Sequence, residues 1–305
     1  MVVPVDQGPS FCLGRRPPGF AAPASFCRSA FLWFILLAGA TVLFDNCAPS
    51  LATLQPAHVA PQGHVQATAG MEIAIPTGTI AKVFEVGESL AGEARTRMLS
   101  DAEIARLFNT GVTIAASPPS IGQHFAIAYS LLDRTEIGIR YAGGGWRLGG
   151  RYQFLRHEEG PFDLVVGLGV ARSTTSIPLG NVVPFLEASD FTRWTIDVPI
   201  LIGTSRSWFR VWTGPKFLYS RFDTSVAVTL PMNAVETGSL RGHATYVGAQ
   251  GGFAVGYRHV FLGFELTLGQ LSGSANVATM LSVPTPPTDI SGFVVYPSFA
   301  LMGEF

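Results

Sequence analysis

Ten charged residues, Glu72, Glu136, Arg140, Arg147, Arg151, Arg193, Asp197, Arg210, Lys216 and Glu265, sit in stretches where polar and apolar side chains alternate. Side chains on a strand point to opposite faces at period two, so these ten belong to the face that the large apolar residues avoid. Gathered in a narrow interior, such groups can do two things. They can pair into a ladder of ion pairs, because a buried charge left alone is costly. They can also line a path for small anionic solutes, since the basic members outnumber the acidic ones. Material for hydrolysis is thinner: His124, His243, Ser189 and Asp190 fall near strand ends, where a rim-located hydrolase or lipid-modifying enzyme would keep a base and a nucleophile. No phosphate-cradling glycine loop, metal-ligand spacing or GxSxG element stands in a fitting context, and no cofactor is expected.

The elements that must position these charges are strands. From Thr135 to Ala142, Ile137, Ile139 and Tyr141 alternate with Glu136, Gly138 and Arg140. After Gly143-Gly144-Gly145 the pattern resumes, with Trp146, Leu148, Tyr152 and Phe154 against Arg147, Gly149, Arg151 and Gln153. A third run sets Phe162, Leu164, Val166, Leu168 and Val170 on one side. Further strands are expected from His64, from Gln123, and near 190–204, 207–221, 242–258, 260–272 and 290–305. The set makes an all-β, antiparallel, up-and-down transmembrane barrel of about ten strands over 63–305, with lipid outside and a polar lumen inside. A soluble sandwich or lipocalin-like barrel is the alternative, with the apolar face turned inward. Aromatic residues near strand ends, among them Tyr141, Trp146, Trp194, Tyr219 and Tyr257, favour the membrane arrangement, where they form interfacial girdles.

Composition agrees with that expectation. The 305 residues are 48% hydrophobic and only 13% charged, yet beyond residue 50 no apolar run reaches the length of a membrane helix. A formal net charge of −1 gives no basic surface for nucleic acid. The three cysteines, Cys12, Cys27 and Cys47, all precede the strands, so no disulfide or cysteine metal site is expected in the barrel.

Residues 1–47 read as leader and signal, with the apolar stretch Phe31 to Phe44 as the secretory core and a membrane anchor as its alternative. Cys47 follows two polar residues later, and the stretch resembles a bacterial lipoprotein signal, which implies lipidation of Cys47. Ordinary cleavage, after Ala40 or near Ala52, is the rival. Residues 48–62 read as a short tether containing Pro56 and Pro61. The order of cysteine, linker, Gly63-His64-Val65-Gln66 and an alternating strand resembles uncharacterised outer-membrane β-barrel proteins, lipoproteins of deltaproteobacterial type, over residues 47–75. The resemblance implies the bacterial outer membrane and no activity.

One helical insert is expected over about 88–109, where Ser100-Asp101-Ala102-Glu103 has the form of a capping box. It would act as a lid, a plug or a periplasmic insert. The connections fall into two sets: 132–134, 157–160, 205–207 and 257–259 are tight, whereas 76–122, 174–189, 223–240 and 273–289 are long, with Gly143 marking the short member of that set. Long connections outside and short ones inside are the asymmetry of outer-membrane barrels. The chain ends on Phe305, with Phe299 and Leu301 on the same face, resembling the terminal strand read by the barrel-assembly machinery. Outer-membrane lipid, that machinery and small anionic solutes are the expected partners. The expected role is a passive small-solute channel or a structural surface protein, with the rim enzyme as the alternative.

Overall fold

Alternation at period two leaves one face of each strand apolar, and a sheet of such strands can bury its polar face only by closing on itself. That closure is present. The computed structural model describes residues 48–77, 100, 102–103, 117–177, 186–229, 235–279 and 287–305. Within them run β1 (Val65–Pro76), β2 (Ser120–Leu132), β3 (Thr135–Ala142), β4 (Gly145–Leu155), β5 (Asp163–Ile177), β6 (Leu186–Ser205), β7 (Phe209–Thr229), β8 (Val235–Tyr257), β9 (Val260–Thr279) and β10 (Thr288–Glu304). Each strand pairs antiparallel with its neighbours in sequence, and β1 closes the barrel against β10 in the register Gln66 to Glu304 through Pro76 to Val294. Closure leaves no open sheet edge, as a backbone in hydrocarbon requires. The last seam is completed by Phe305, whose N–H donates to the Val65 carbonyl at 2.9 Å while Val65 N–H donates back at 2.8 Å.

The outer face is apolar throughout the span. Leu148 is 67% exposed, Leu262 67%, Leu168 57% and Trp194 51%. Aromatic residues mark both ends, with Tyr141 against Trp146 at one and Trp208 against Phe209 at the other. The opposite face carries the ten charged residues named above, most of them buried. This is the membrane arrangement, and the soluble alternative, with the apolar face inward, is not adopted.

The wall is uneven. β3 and β4 have 8 and 11 residues, close to the roughly 9–11 that a tilted strand needs to span. β6, β7, β8 and β9 have 20, 21, 23 and 20. Much of 174–189, 223–240 and 273–289, expected as long loops, is therefore paired strand: β5 runs on to Ile177, β7 to Thr229 and β9 to Thr279. The signal was missed for a physical reason. Beyond the hydrocarbon both faces of a hairpin can meet water, so Ser, Thr, Gly and Asn occur on either and the period of two disappears.

Of the helical insert expected over 88–109, only Ser100, Ala102 and Glu103 are among the described residues; the rest lies outside them. Half of the capping box is present there: Ser100 N–H donates to Glu103 Oε2 at 2.8 Å, while Ser100 Oγ donates to the same oxygen at 2.8 Å and Glu103 N–H donates to the Ser100 carbonyl at 2.9 Å.

The outward band gives a depth-dependent prediction. Leu148 pairs with Ile139 in the middle of β3, whereas Leu155 ends β4. Leu148→Arg should lower stability by roughly 2–4 kcal/mol and Leu155→Arg by about 0–1 kcal/mol, as charges do at the midplane and the interface. Denaturant titration of the barrel folded into liposomes checks it.

Candidate functional site

Of residues 48–62, read from sequence as a tether, 48–60 run inside the barrel and Pro61 and Gln62 are exposed. Ala52, Leu54, Ala57 and Ala60 are 0% exposed, Ala48 is 1% and Leu51 is 2%. The stretch has no long-range sheet partner, and an extended chain makes no hydrogen bonds within itself, so its buried N–H and C=O groups must be paired by the wall. Its composition suits that position: from Ala48 to Gln62 there is no Asp, Glu, Lys or Arg. A solvated linker of this length ordinarily carries charge; a lumen-filling one supplies small apolar side chains and bare backbone.

The inner wall meets that backbone with its charges. Glu265, 0% exposed, accepts the N–H groups of Thr53 at 2.5 Å and Leu54 at 3.0 Å on its two oxygens, and Trp212 Nε1 at 2.8 Å. Two successive amides converge on one carboxylate only if the chain kinks, and Leu54 has φ of 46°, a left-handed conformation uncommon for a bulky residue. Thr53 Oγ1 donates to Gln250 Oε1 at 2.6 Å, and Val59 N–H to Gln153 Oε1 at 3.0 Å. The carbonyls go to cations. Arg140 reaches Ala52 O at 2.5 Å, Arg151 reaches Pro56 O at 2.8 Å and His58 O at 3.3 Å, and Lys216 bonds Leu51 O with Thr53 Oγ1 at 3.0 Å.

The remaining expected residues complete the lining. Arg147 grips Asp197 with two bonds, Nε to Oδ1 at 2.6 Å and Nη2 to Oδ2 at 3.0 Å. Gly169 on the adjoining strand makes room: a Cβ there would lie 2.2 Å from the Arg147 guanidinium. Arg151 Nε donates to Glu136 at 2.6 Å. Glu72 accepts Ser50 Oγ at 2.9 Å and Tyr296 OH at 2.8 Å and lies 2.6 Å from His124 Nδ1. Arg193 stacks 4.7 Å from the Phe191 ring centroid, and Arg210 lies 3.8 Å from that of Phe261. All ten charged positions face the interior. They are not one cluster: seven of them hold the segment directly or at one remove, Glu72, Arg140, Arg151, Lys216 and Glu265 by themselves, Glu136 through Arg151 and Arg210 through Glu304, while Arg147 and Asp197 pair within the wall and Arg193 stacks on Phe191. Cys47 lies outside the described residues.

The histidines do not form a rim pair. His124 is 0% exposed and bonded inward to Glu72, whereas His243 is exposed and near Tyr219 on the outer face. Successive side chains alternate, and the two residues sit on opposite faces of the wall. A triad that sequence reasoning missed forms instead at the short-turn end, from His58, Ser205 and Glu304. Ser205 Oγ is 2.7 Å from His58 Nδ1, His58 Nε2 is 2.9 Å from Glu304 Oε2, and Arg210 Nη2 is 2.8 Å from the same oxygen. A neutral imidazole fits this set: Nδ1 accepts from the Ser205 hydroxyl and Nε2–H donates to Glu304. The order of hydroxyl, imidazole and carboxylate is that of an acyl-transfer triad, but Glu304 is shared with Arg210, and neither of the two interior cavities described next is lined by Ser205. Its evident work is to fix the segment's end. The sequence signal for Glu304 was available: Phe299, Leu301 and Phe305 face out, so Glu304 faces in.

Two small cavities lie beside the segment. One cavity lined by Pro49, Ser50, Arg140, Arg147 and Asp197, and another lined by Gln55, Glu136, Arg140 and Arg151, have volumes of about 20 Å³ each. That is room for about one water molecule. Glu136 Oε2 and Arg140 Nε, which have no hydrogen-bond partner among the described residues, belong to residues lining the second.

No family model and no curated protein matches the chain. Among solved structures it is similar to Ail, the attachment invasion locus protein of Yersinia pestis, at 9% identity over 80% of this chain and 99% of that one, with a TM-score of 0.26. It is also similar to a bacterial polysaccharide outer membrane secretin, at 10% identity over 81% of this chain and 99% of that one, with a TM-score of 0.24. The barrel assignment rests on the strand pairing itself.

One outcome follows from these contacts. Glu265→Ala removes the shared acceptor of two amides and an indole, and should lower stability by about 3–5 kcal/mol, as loss of one partner of a buried charged network does; thermal unfolding in detergent measures it.

Proposed function

We propose that this protein is a bacterial outer-membrane barrel whose lumen is closed by its own N-terminal segment, serving as a structural surface protein rather than a standing solute channel. The observation that carries the reading is the burial of residues 48–60 among the charged side chains of the inner wall, with cavities of only about 20 Å³ beside them. An interior of paired charge and backbone is a filled core, and dissolved ions have no continuous path through it. Support for the compartment comes from the outward apolar band with its aromatic ends and from the even strand number. The surrounding partner is outer-membrane lipid. Phe305, bonded at the β1–β10 seam and 56% exposed, is the proposed contact for the barrel-assembly machinery. Lipidation of Cys47 fits a mature chain that keeps residues 48–52, which the wall binds, and argues against cleavage near Ala52; an acylated cysteine mass at the mature N-terminus checks it.

The basic wall residues have an excess of donors that the segment's carbonyls occupy, so removing the segment exposes positive charge. In planar bilayers the wild type should be silent. A chain lacking residues 48–60 should pass current with a preference for anions, and Arg140→Glu in that background should weaken the preference. Steady ohmic steps from the wild type overturn the filled-barrel reading. Recovery of the folded wild type in the soluble fraction of a Gram-negative host, with no heat-dependent gel shift, overturns the membrane one.

A further inference from the structure

Residues 48–63 cross the barrel in a fixed direction, and their contacts order it. Gly63 N–H donates to the Ser130 carbonyl and Gln62 Nε2 to the Leu131 carbonyl, beside the turn between β2 and β3. His58 bonds Ser205 and Glu304, at the ends of β6 and β10 on that same side. Thr53 and Leu54 meet Glu265 farther along, and Ser50 meets Glu72. The Ala48 carbonyl then closes on Gly143, in the turn between β3 and β4 at the opposite end: a Cβ on Gly143 would lie 2.5 Å from it and 3.0 Å from Ser50 N. Gly143 has φ of +60°, so a residue without a side chain is needed there on both counts.

That opposite end carries the connections 77–119, 178–185, 230–234 and 280–287. Its wall is lowest at β3 and β4, the 8-residue and 11-residue strands, and the segment reaches the rim at this low place. On the tall side the interior is taken up by buried Phe191, Phe222, Leu240 and Tyr246, with Phe191 and Phe222 stacked at 5.9 Å.

We propose that the barrel is a conduit for its own N-terminus: the chain preceding Ala48 is delivered to the long-connection end, the cell surface, while the C-terminus stays at the periplasmic end. The orientation rests on the outer-membrane reading given above, and the threading rests on the contacts alone. The barrel thereby displays outside the cell whatever the residues before Ala48 carry, and the lumen contacts act as the clamp that keeps it there. The partner of this device is the external medium or the outer leaflet, and not the periplasm.

The test uses the full chain in a Gram-negative host, with a protease-cleavable epitope between Cys47 and Ala48, a second version with it in 230–234, and a third with it between Asp133 and Arg134. On intact cells, soluble protease should remove the first two and spare the third until the outer membrane is broken. An epitope at Ala48 that is spared while the one in 230–234 is cut overturns the conduit and leaves the orientation standing. Sparing of 230–234 with cutting at Asp133 overturns the orientation instead, and surface delivery with it. A mature chain whose N-terminal mass begins after Ala48 also overturns the proposal. Should the epitope at Ala48 prevent folding, threading is read in purified protein with the native cysteines replaced by serine. A short bifunctional thiol reagent should join Ser50→Cys to Ala142→Cys, which line one cavity, and should not join Ser50→Cys to Thr135→Cys at the other end of β3. Absence of the first crosslink in a heat-modifiable, folded barrel overturns the threading.

Discussion

An extended chain inside a closed barrel has nothing of its own to bond to, and this constraint governs the interior. Strand backbone is satisfied by neighbouring strands, but the stretch from Ala48 to Ala60 is surrounded by side chains. Each buried N–H or C=O left unpaired there would cost about 1–3 kcal/mol. The wall answers with carboxylates and amides for the N–H groups, at Glu265 and Gln153, and with cations for the carbonyls, at Arg140, Arg151 and Lys216. The charges and the segment are therefore bonded as one network.

The same constraint accounts for the imbalance of charge. Arg has five donors and no acceptor, so a wall rich in Arg needs more acceptors than its carboxylates provide. Ion pairs such as Arg147 with Asp197 and Arg151 with Glu136 use part of the capacity. Carbonyl oxygens of Ala52, Pro56 and His58 use more. Aromatic rings take other guanidinium faces, as Phe191 does for Arg193 and Phe261 for Arg210. The donors that outnumber the wall's carboxylates thus find acceptors elsewhere in the chain.

The segment is also fixed where it turns into the wall. At the short-turn end His58 joins β6 through Ser205 and β10 through Glu304, next to the seam that Phe305 and Val65 complete. The plugging segment and the last strand to close are thus tied at one place, and Arg210 braces the carboxylate from β7. Barrel closure and lumen filling are coupled through these side chains.

The sequence by itself determined the class of fold, because period-two alternation is a local property: Ile137 and Arg140 must face opposite ways on any strand, and ten such runs with tight alternate turns make an up-and-down sheet. By parity it also sets the ten charges, from Glu72 to Glu265, on the strand face that the large apolar residues avoid. It could not determine the reach of β5 to β9, since residues wet on both faces have no period to read. Nor did it show the segment at 48–62. Proline and small residues fit a free tether and a buried extended chain equally well, and only the absence of charge separates them. Which carboxylate meets which amide was decided by the tertiary structure, because the pairing of Thr53 with Glu265, 212 residues away, depends on barrel diameter and register. Those are fixed only when β1 meets β10.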